Sequence, residues 1–430
     1  MKIVYLAAGA GGMYCGSCLH GNTLAAALCA AGQDCVLMPM YSPLRTDEED
    51  VSIDRVAFGG INVYLQEHSA IFRHTPWAID RFLDRPGLLR LVAGGSESVR
   101  PEQLGSLTVS MLEGEHGRQR KELEKLVRWL GDLRPEVVHL NNVLLIGVAR
   151  EIMQRLGVPV VCSLTGEDAF LEKLPEPYRG RALAVLRERV AEVAALVAMN
   201  RYYADFMADY LQAPRERIHV IPPGLNLSGA EFIPLAERNK FRSTEIGFLA
   251  RICPDKGLHQ LADAMKLLAA DPDVPPTRVR AAGYLHRDDR RYLRDIQWQM
   301  EDAKLSDRFE YVGELDRAAK LAFLQSLDVF CLPTVYRESK GLSVFEAWAN
   351  GVPAVLPAHG AFPEMIADTG GGVLFEPGDP AALAAALKRM ILDRDFAAEC
   401  GRRAQQVVHE RYNAEVMARR MIELYERLCG

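Results

Sequence analysis

The sequence predicts an α/β protein made of two Rossmann-like, doubly wound parallel-sheet domains facing across a cleft. Three observations predict it. The chain has 430 residues, more than one ordinary core holds, which suggests two domains of about 200 residues each. Short apolar runs alternate with longer helical patterns, the βαβ signature of parallel sheets. That rhythm breaks once, over 222–244, and then restarts.

In the first half the strands are predicted at 2–7, 35–40, 137–140, 158–164, 195–200 and 218–223. Helical patterns lie between them, notably QRKELEKLVRWLGDL (119–133) and VLLIGVAREIMQRLG (143–157). In the second half strands are predicted at 245–250, 279–283, 309–313, 329–333, 353–357 and 372–376. The segment 222–244 has prolines, glycines and no clear period, and reads as the connection between domains. The expected domains are therefore 1–225, joined by a closing helix at about 412–430, and 226–411. The irregular stretch 66–115 is expected to form short helices inserted in the first domain, on its acceptor side; LLRLVAG (88–94) reads there as a core helix, with membrane docking as the rival. Ligands of doubly wound sheets bind outside the carboxyl ends of the strands, so the cleft is the expected site.

Composition narrows the function classes. Hydrophobic residues make up 49% and charged ones 25%, as in an ordinary water-exposed globular protein. A net charge of -6 gives no general attraction to nucleic acid or anionic lipid. The opening MKIVYLAAGAGG lacks the long apolar region of a secretory signal, and no apolar run approaches the roughly 20 residues that span a bilayer. A cytoplasmic protein is expected, with peripheral membrane contact left open. Nine scattered cysteines read mostly as reduced, buried thiols. Only Cys15 and Cys18 form a C-x-x-C pair; zinc binding would need further ligands besides His20, and a redox role would need a second motif.

The stretch ESKGLSVFEAWANGVP (338–353) holds two glutamates eight apart. In one continuous helix they would lie about 12 Å apart along the axis, pointing in different directions. Asn350-Gly351 and Pro353 stop a helix, and the helix therefore starts near Gly341–Ser343, after the strand VFCLP. Its first amides lack internal partners and form a ready anion site. Gly341 is expected to let a phosphate approach the backbone. Glu338 then lies on the loop and Glu346 about one turn inside the helix, where carboxylates can accept sugar and ribose hydroxyls. The blander reading is that Glu338 is a solvated loop charge and Glu346 a surface helix residue.

A second pattern shifts the balance. GFLARICPDKGLHQLADAM (247–265) runs from a strand through Arg251 and Lys256 to a glycine and a helix. Two cations at the end of a strand can neutralise a diphosphate, which is also the leaving group of glycosyl transfer.

At these residues the chain resembles the retaining glycosyltransferases of family 4, which have the GT-B fold. ESKGLSVFEAWANGVP is similar to their E-x₇-E element, ARICPDKG to their donor-phosphate Arg/Lys element, and GAFPEMI (360–366) to the following loop. VIPPGLN (220–226) and the closing helix YNAEVMARRMIELYERL (412–428), which in the family crosses back onto the first domain, extend the resemblance. It implies that Arg251 and Lys256 hold the donor diphosphate and that the amides of Gly341, Leu342 and Ser343 complete its cradle. Glu346 would bind the ribose, and Glu338 would lie beside the transferred sugar, with Glu338, Arg251 and Lys256 as the catalytic set. The donor implied is a UDP-, GDP- or ADP-type sugar, with retention and no obligatory metal or cofactor. Asp288 and Asp289 in HRDDRR (286–291) read as solvated charges instead of a metal site.

In the first domain AAGAGGMYCGSCLHGNTLAAAL follows a strand and leads to a helix expected to begin near Asn22 or Thr23. By the resemblance Gly11, Gly12 or Gly16 would pass close to the donor phosphates. PEVVHLNN (135–142) places Asn141 where family members often carry a histidine, and leaves His139 in the strand as a core residue. SLTGEDAF (163–170) has Thr165 in place of another family histidine, while Asp168 remains to meet a sugar hydroxyl. Asn141 and Asp168 are thus the acceptor-side candidates, and a general base is left unassigned. The acceptor, whether sugar, lipid-linked or small-molecule hydroxyl, is open. The competing readings are a sugar-nucleotide epimerase or phosphorylase of the same fold, a non-catalytic sugar-binding protein and a nicotinamide enzyme. The last requires G-x-G-x-x-G, but Gly9-x-Gly11 is followed by Tyr14 where the third glycine belongs.

Overall fold

Ile3 through Ala7 expose no surface, the pattern of a strand covered on both faces. They belong to β1 (Lys2–Ala7), which lies inside a six-stranded sheet. The structure is a computed structural model that describes residues 1–9, 15–68, 104–234, 237 and 243–430. These residues form two compact units, 1–224 with 414–430, and 225–413.

The first unit adds β2 (Asp34–Pro39), β3 (Val137–Leu140), β4 (Val160–Leu164), β5 (Ala195–Ala198) and β6 (Ile218–Val220). Every pair is parallel, in the order β2-β1-β3-β4-β5-β6. Alternate side chains of β1 serve opposite layers. Val4 and Leu6 pack with Leu126, Leu130 and Ile146, whereas Ile3 and Tyr5 pack with Leu24, Leu28, Met421 and Tyr425. The second layer joins the helix Gly16–Ala30 to the closing helix Ala414–Cys429.

The second unit repeats the plan with β7 (Thr244–Leu249), β8 (Thr277–Ala282), β9 (Phe309–Gly313), β10 (Val329–Cys331), β11 (Ala354–Pro357) and β12 (Gly372–Phe375). Its order is β12-β11-β10-β7-β8-β9, again all parallel. In each unit the chain winds outward from the first strand and returns to its other side. The direction reverses between β1 and β3, and between β7 and β10. Loops diverge at such switch points, and ligands of open α/β sheets bind there.

Two helices depart from expectation. The first helix starts at Gly16, with Cys15 at its N-cap, six residues before Asn22. Asn22 and Thr23 look like caps in sequence, but their side chains face a neighbouring loop. Asn22 donates to the Glu49 carbonyl and accepts from Val51 N–H, and the Thr23 hydroxyl donates to Leu19 O and meets Glu48. The pattern at 143–157 divides into a tight 3₁₀ stretch, Val143–Val148, and an α-helix, Ala149–Leu156. Asn142 caps it by accepting from Leu144 N–H. Of the stretch 66–115, the helices Gly60–His68 and Gly105–Glu113 flank residues 69–103, which lie outside the described residues together with LLRLVAG.

Candidate active site

The reversal in the second unit brings the segments after β7 and β10 side by side. Beyond β7 the chain passes Arg251 and makes a 3₁₀ turn, Pro254–Lys256, before the helix Leu258–Ala270. Gly257 links the two at φ 76°, and a Cβ there would lie 1.7 Å from Pro333 O, so only glycine lets this turn lie against the end of β10. Val335 N–H also donates to Asp255 O at 2.9 Å.

This clamp brings Lys256 and Glu338 together. Lys256 Nζ lies 2.7 Å from Glu338 Oε2 and 2.7 Å from the Tyr336 hydroxyl, which donates to the same Oε2 at 2.7 Å. Lys340 N–H approaches the other oxygen, Oε1, at 3.3 Å. The side chains are 16% and 5% exposed for Lys256 and Glu338, so the pair is shielded from water. Burial pushes the Glu338 carboxyl up, but the Lys256 ammonium and the Tyr336 hydroxyl outweigh it and hold the pKa at about 2. Burial likewise pulls Lys256 down, and Glu338 reverses that and raises it above the ordinary lysine value.

Glu346 lies one turn inside the helix Leu342–Ala349 and is paired with Lys320, whose ammonium bonds Oε1. Lys320 comes from the helix Arg317–Gln325. The helix is held from behind by buried Phe345 and Trp348; the indole N–H donates to Gly371 O at 2.8 Å and Phe345 stacks on Tyr412. Val344 and Phe345 N–H both bond Gly341 O, which leaves the amides of Leu342 and Ser343 ahead of the first helical hydrogen bond.

Gly341 caps that helix in the left-handed conformation, φ 65°. A Cβ there would lie 2.6 Å from Met365 Cε. The bare side of the glycine therefore faces Met365. Its φ and the packing of GAFPEMI explain the residue.

Arg251 is exposed and stands apart from the Lys256–Glu338 pair's hydrogen bonds; its guanidinium offsets the burial that raises Asp289. Asp289 is accordingly half-shielded rather than fully solvated, while Asp288 is exposed, in the turn Arg287–Asp289. Among the described residues no group of three or more His, Cys, Asp or Glu could hold a metal ion.

In the first unit Asn141 follows β3, buried beside the end of β1. Its Oδ1 accepts from Ala8 N–H at 3.2 Å and from Asn142 Nδ2 at 3.0 Å. Gly11 and Gly12 lie outside the described residues; Gly16 is the first residue of the helix. Asp168 opens a short turn of helix after β4 and accepts from Tyr203 OH at 2.7 Å. Burial raises its pKa, against that hydrogen bond. Its neighbour Glu167 is the more deeply placed carboxylate, accepting from Thr165 N–H at 2.7 Å, Thr165 Oγ1 at 2.9 Å and Val143 N–H at 3.2 Å. His139 is buried between Tyr425 OH and Ser163 Oγ, and burial together with His20 lowers its pKa to about 3. It is a neutral core histidine.

Sequence reasoning missed Tyr336, Lys320 and Glu167. Tyr336 had a signal, since in an extended loop residues two apart share a side. Lys320 had none, because only the tertiary fold brings it to Glu346.

Two family models match the chain. Residues 58–228 match Glycosyltransferase Family 4 and residues 235–407 match Glycosyl transferases group 1. A phosphatidyl-myo-inositol mannosyltransferase of Mycolicibacterium smegmatis is 31% identical over 212 residues, 49% of this chain and 52% of that protein. The match thus spans about half the length of that relative. Sucrose-phosphate synthase from Thermosynechococcus elongatus has the same fold, with a TM-score of 0.74 at 19% identity over 100% of this chain and 99% of that one. HepE of Anabaena in complex with UDP aligns over 100% of both chains, with a TM-score of 0.70 at 18% identity. Two doubly wound units, each matched by its own model, lead to one conclusion: the chain belongs to family 4 of the glycosyltransferases, with the GT-B fold.

Proposed function

We propose that the protein transfers a glycosyl group from a nucleoside-diphosphate sugar of the UDP, GDP or ADP type to a hydroxyl acceptor, with retention of configuration and without an obligatory metal. The observation that carries this is the meeting of Lys256 and Glu338, at the point where the sheet reverses, on the loop that runs into the helix whose first amides, Leu342 and Ser343, precede its first hydrogen bond.

The chemistry follows from counting donors and acceptors. An ammonium has three N–H groups; Tyr336 and Glu338 take two of Lys256's, which leaves one for a phosphate oxygen. The Leu342 and Ser343 amides and the exposed Arg251 supply the other donors. Glu338 Oε2 is filled by Lys256 and Tyr336, so Oε1 meets a hydroxyl of the transferred sugar. Glu346 keeps one oxygen for the ribose after pairing with Lys320.

In the transfer the bond between the anomeric carbon and the diphosphate oxygen breaks. The acceptor oxygen bonds that carbon on the same face, and its proton passes to the leaving diphosphate. Lys256, Arg251 and the helix amides stabilise the charge that grows on the diphosphate. Such a route needs no side-chain base, and none is assigned. Asn141 and Asp168 are assigned to the acceptor. HepE, whose structure holds UDP, supports a uridine nucleotide as the first donor to try. The lipid-inositol name of the mycobacterial relative supports an acceptor with ring hydroxyls. Among the described residues no helix is long and apolar enough to cross a membrane; we place the protein in the cytoplasm, with peripheral membrane contact allowed.

The test is a panel of UDP-glucose, GDP-mannose and ADP-glucose assayed for slow hydrolysis without acceptor. One donor should be cleaved and should raise the melting temperature, while NAD(H) should not. Stabilisation by NAD(H) and by no sugar nucleotide would contradict the proposal.

A further inference from the structure

We propose that Tyr336 is a positioning residue for the transfer: its hydroxyl locks Lys256 and Glu338 into one arrangement, so that the diphosphate cation and the sugar carboxylate are set together. This rests on the donor-site reading above and adds Tyr336, which lies outside the quoted elements that carry the resemblance.

The geometry is a closed triangle. The Tyr336 hydroxyl lies 2.7 Å from Lys256 Nζ and 2.7 Å from Glu338 Oε2, and those two atoms are themselves 2.7 Å apart. A phenol has one O–H, so donating to the carboxylate leaves its lone pairs to accept from the ammonium. Lys256 arrives on the loop after β7, whereas Tyr336 and Glu338 arrive on the loop after β10. The hydroxyl thus stitches two segments from the two sides of the reversal.

The neighbours show why the loop presents it. Val335 and Arg337 are exposed, and Glu338 is buried. Alternation along an extended loop turns Tyr336 and Glu338 to the same side, away from Val335 and Arg337. The ammonium sits 4.8 Å from the centre of the Tyr336 ring, beside its hydroxyl edge.

Without the hydroxyl, Oε2 loses one of its two donors and Nζ one of its two acceptors. Both long side chains regain rotamer freedom, and the remaining N–H of Lys256 no longer has a fixed direction. The ring alone would still fill the same space. A packing role and a positioning role therefore part company in the substitution Tyr336→Phe. The hydroxyl also helps to hold the Glu338 carboxyl low, so its removal moves that group up.

The experiment uses the full chain and the donor hydrolysed fastest among UDP-glucose, GDP-mannose and ADP-glucose. Tyr336→Phe should melt within about 2 °C of the parent, lose roughly tenfold or more in kcat, and move the acid limb of kcat/KM upward by about one pH unit. In a Glu338→Gln background the same substitution should cost little more, because both act through one contact. Unchanged kcat and acid limb, additive losses, or a variant that no longer folds would each overturn the proposal. Lys256→Ala separates the two levels. If it keeps donor binding, the donor-site reading fails; if it loses binding while Tyr336→Phe behaves as the parent, only the positioning role fails.

Discussion

The Lys256 ammonium and the Glu338 carboxylate lie 2.7 Å apart although 82 residues separate them in sequence. Each is what the other needs in a dry place: a buried charge without a partner would shift its pKa and neutralise. The fold therefore carries the Lys256 ammonium already charged and held in one direction. The pair is also a liability, because removing either member leaves the other stranded.

Lys256→Ala should therefore cost stability as well as donor binding. We expect roughly 2–3 kcal/mol in urea melts at pH 7, below the ~3–5 of a fully buried pair because Lys256 keeps 16% of its exposure. The double variant Lys256→Met/Glu338→Gln should regain most of that stability but not the donor-dependent rise in melting temperature. A single variant as stable as the parent would show that the pair carries no such strain.

Acid should reveal Glu338 directly. Its folded pKa of about 2 is depressed below the ~4.3 of an unfolded glutamate, so its contribution is present above pH 4.3 and is lost as the pH falls toward 2. Urea melts of the parent between pH 5 and 3 should decline more steeply than those of Glu338→Gln. Parallel declines would contradict the pairing.

His139 acts over a different window. Burial holds it neutral with a pKa of about 3, while the unfolded chain takes up a proton near pH 6.5. Below pH 6.5 the unfolded state binds the extra proton, so stability falls by up to ~1.4 kcal/mol per pH unit as the pH drops toward 3. His139→Gln should flatten the slope between pH 6.5 and 5. An unchanged slope would mean that His139 is protonated in the fold.

Trp348 anchors the helix whose start bears the free amides. It is fully buried and donates to Gly371 O, so Trp348→Ala should cost about 3–5 kcal/mol by calorimetry. A loss under 1 kcal/mol would show that the helix does not depend on this anchor.

The strands were legible because a strand covered on both faces needs an unbroken apolar run, and KIVYLA, VVHL and VFCLP supply one. The start of the Leu342–Ala349 helix was legible from Gly341 and from the Asn350-Gly351 stop. The first helix misled because Asn22 and Thr23, good caps by type, serve instead to hold residues 48–51. At Gly341 the structure adds a packing reason that the sequence did not show, the contact a Cβ would make with Met365. Lys320 was invisible, since a lysine on a helix surface announces no partner until the fold places Glu346 beside it.

The most direct measurement is a crystal structure grown with a nucleoside-diphosphate sugar, starting from UDP-glucose. The pyrophosphate should lie within hydrogen-bond distance of Lys256 Nζ and of the Leu342 and Ser343 amides, with Glu346 on the ribose. A well-ordered nucleotide elsewhere on the protein, with Lys256 still paired only to Glu338 and Tyr336, would contradict the account.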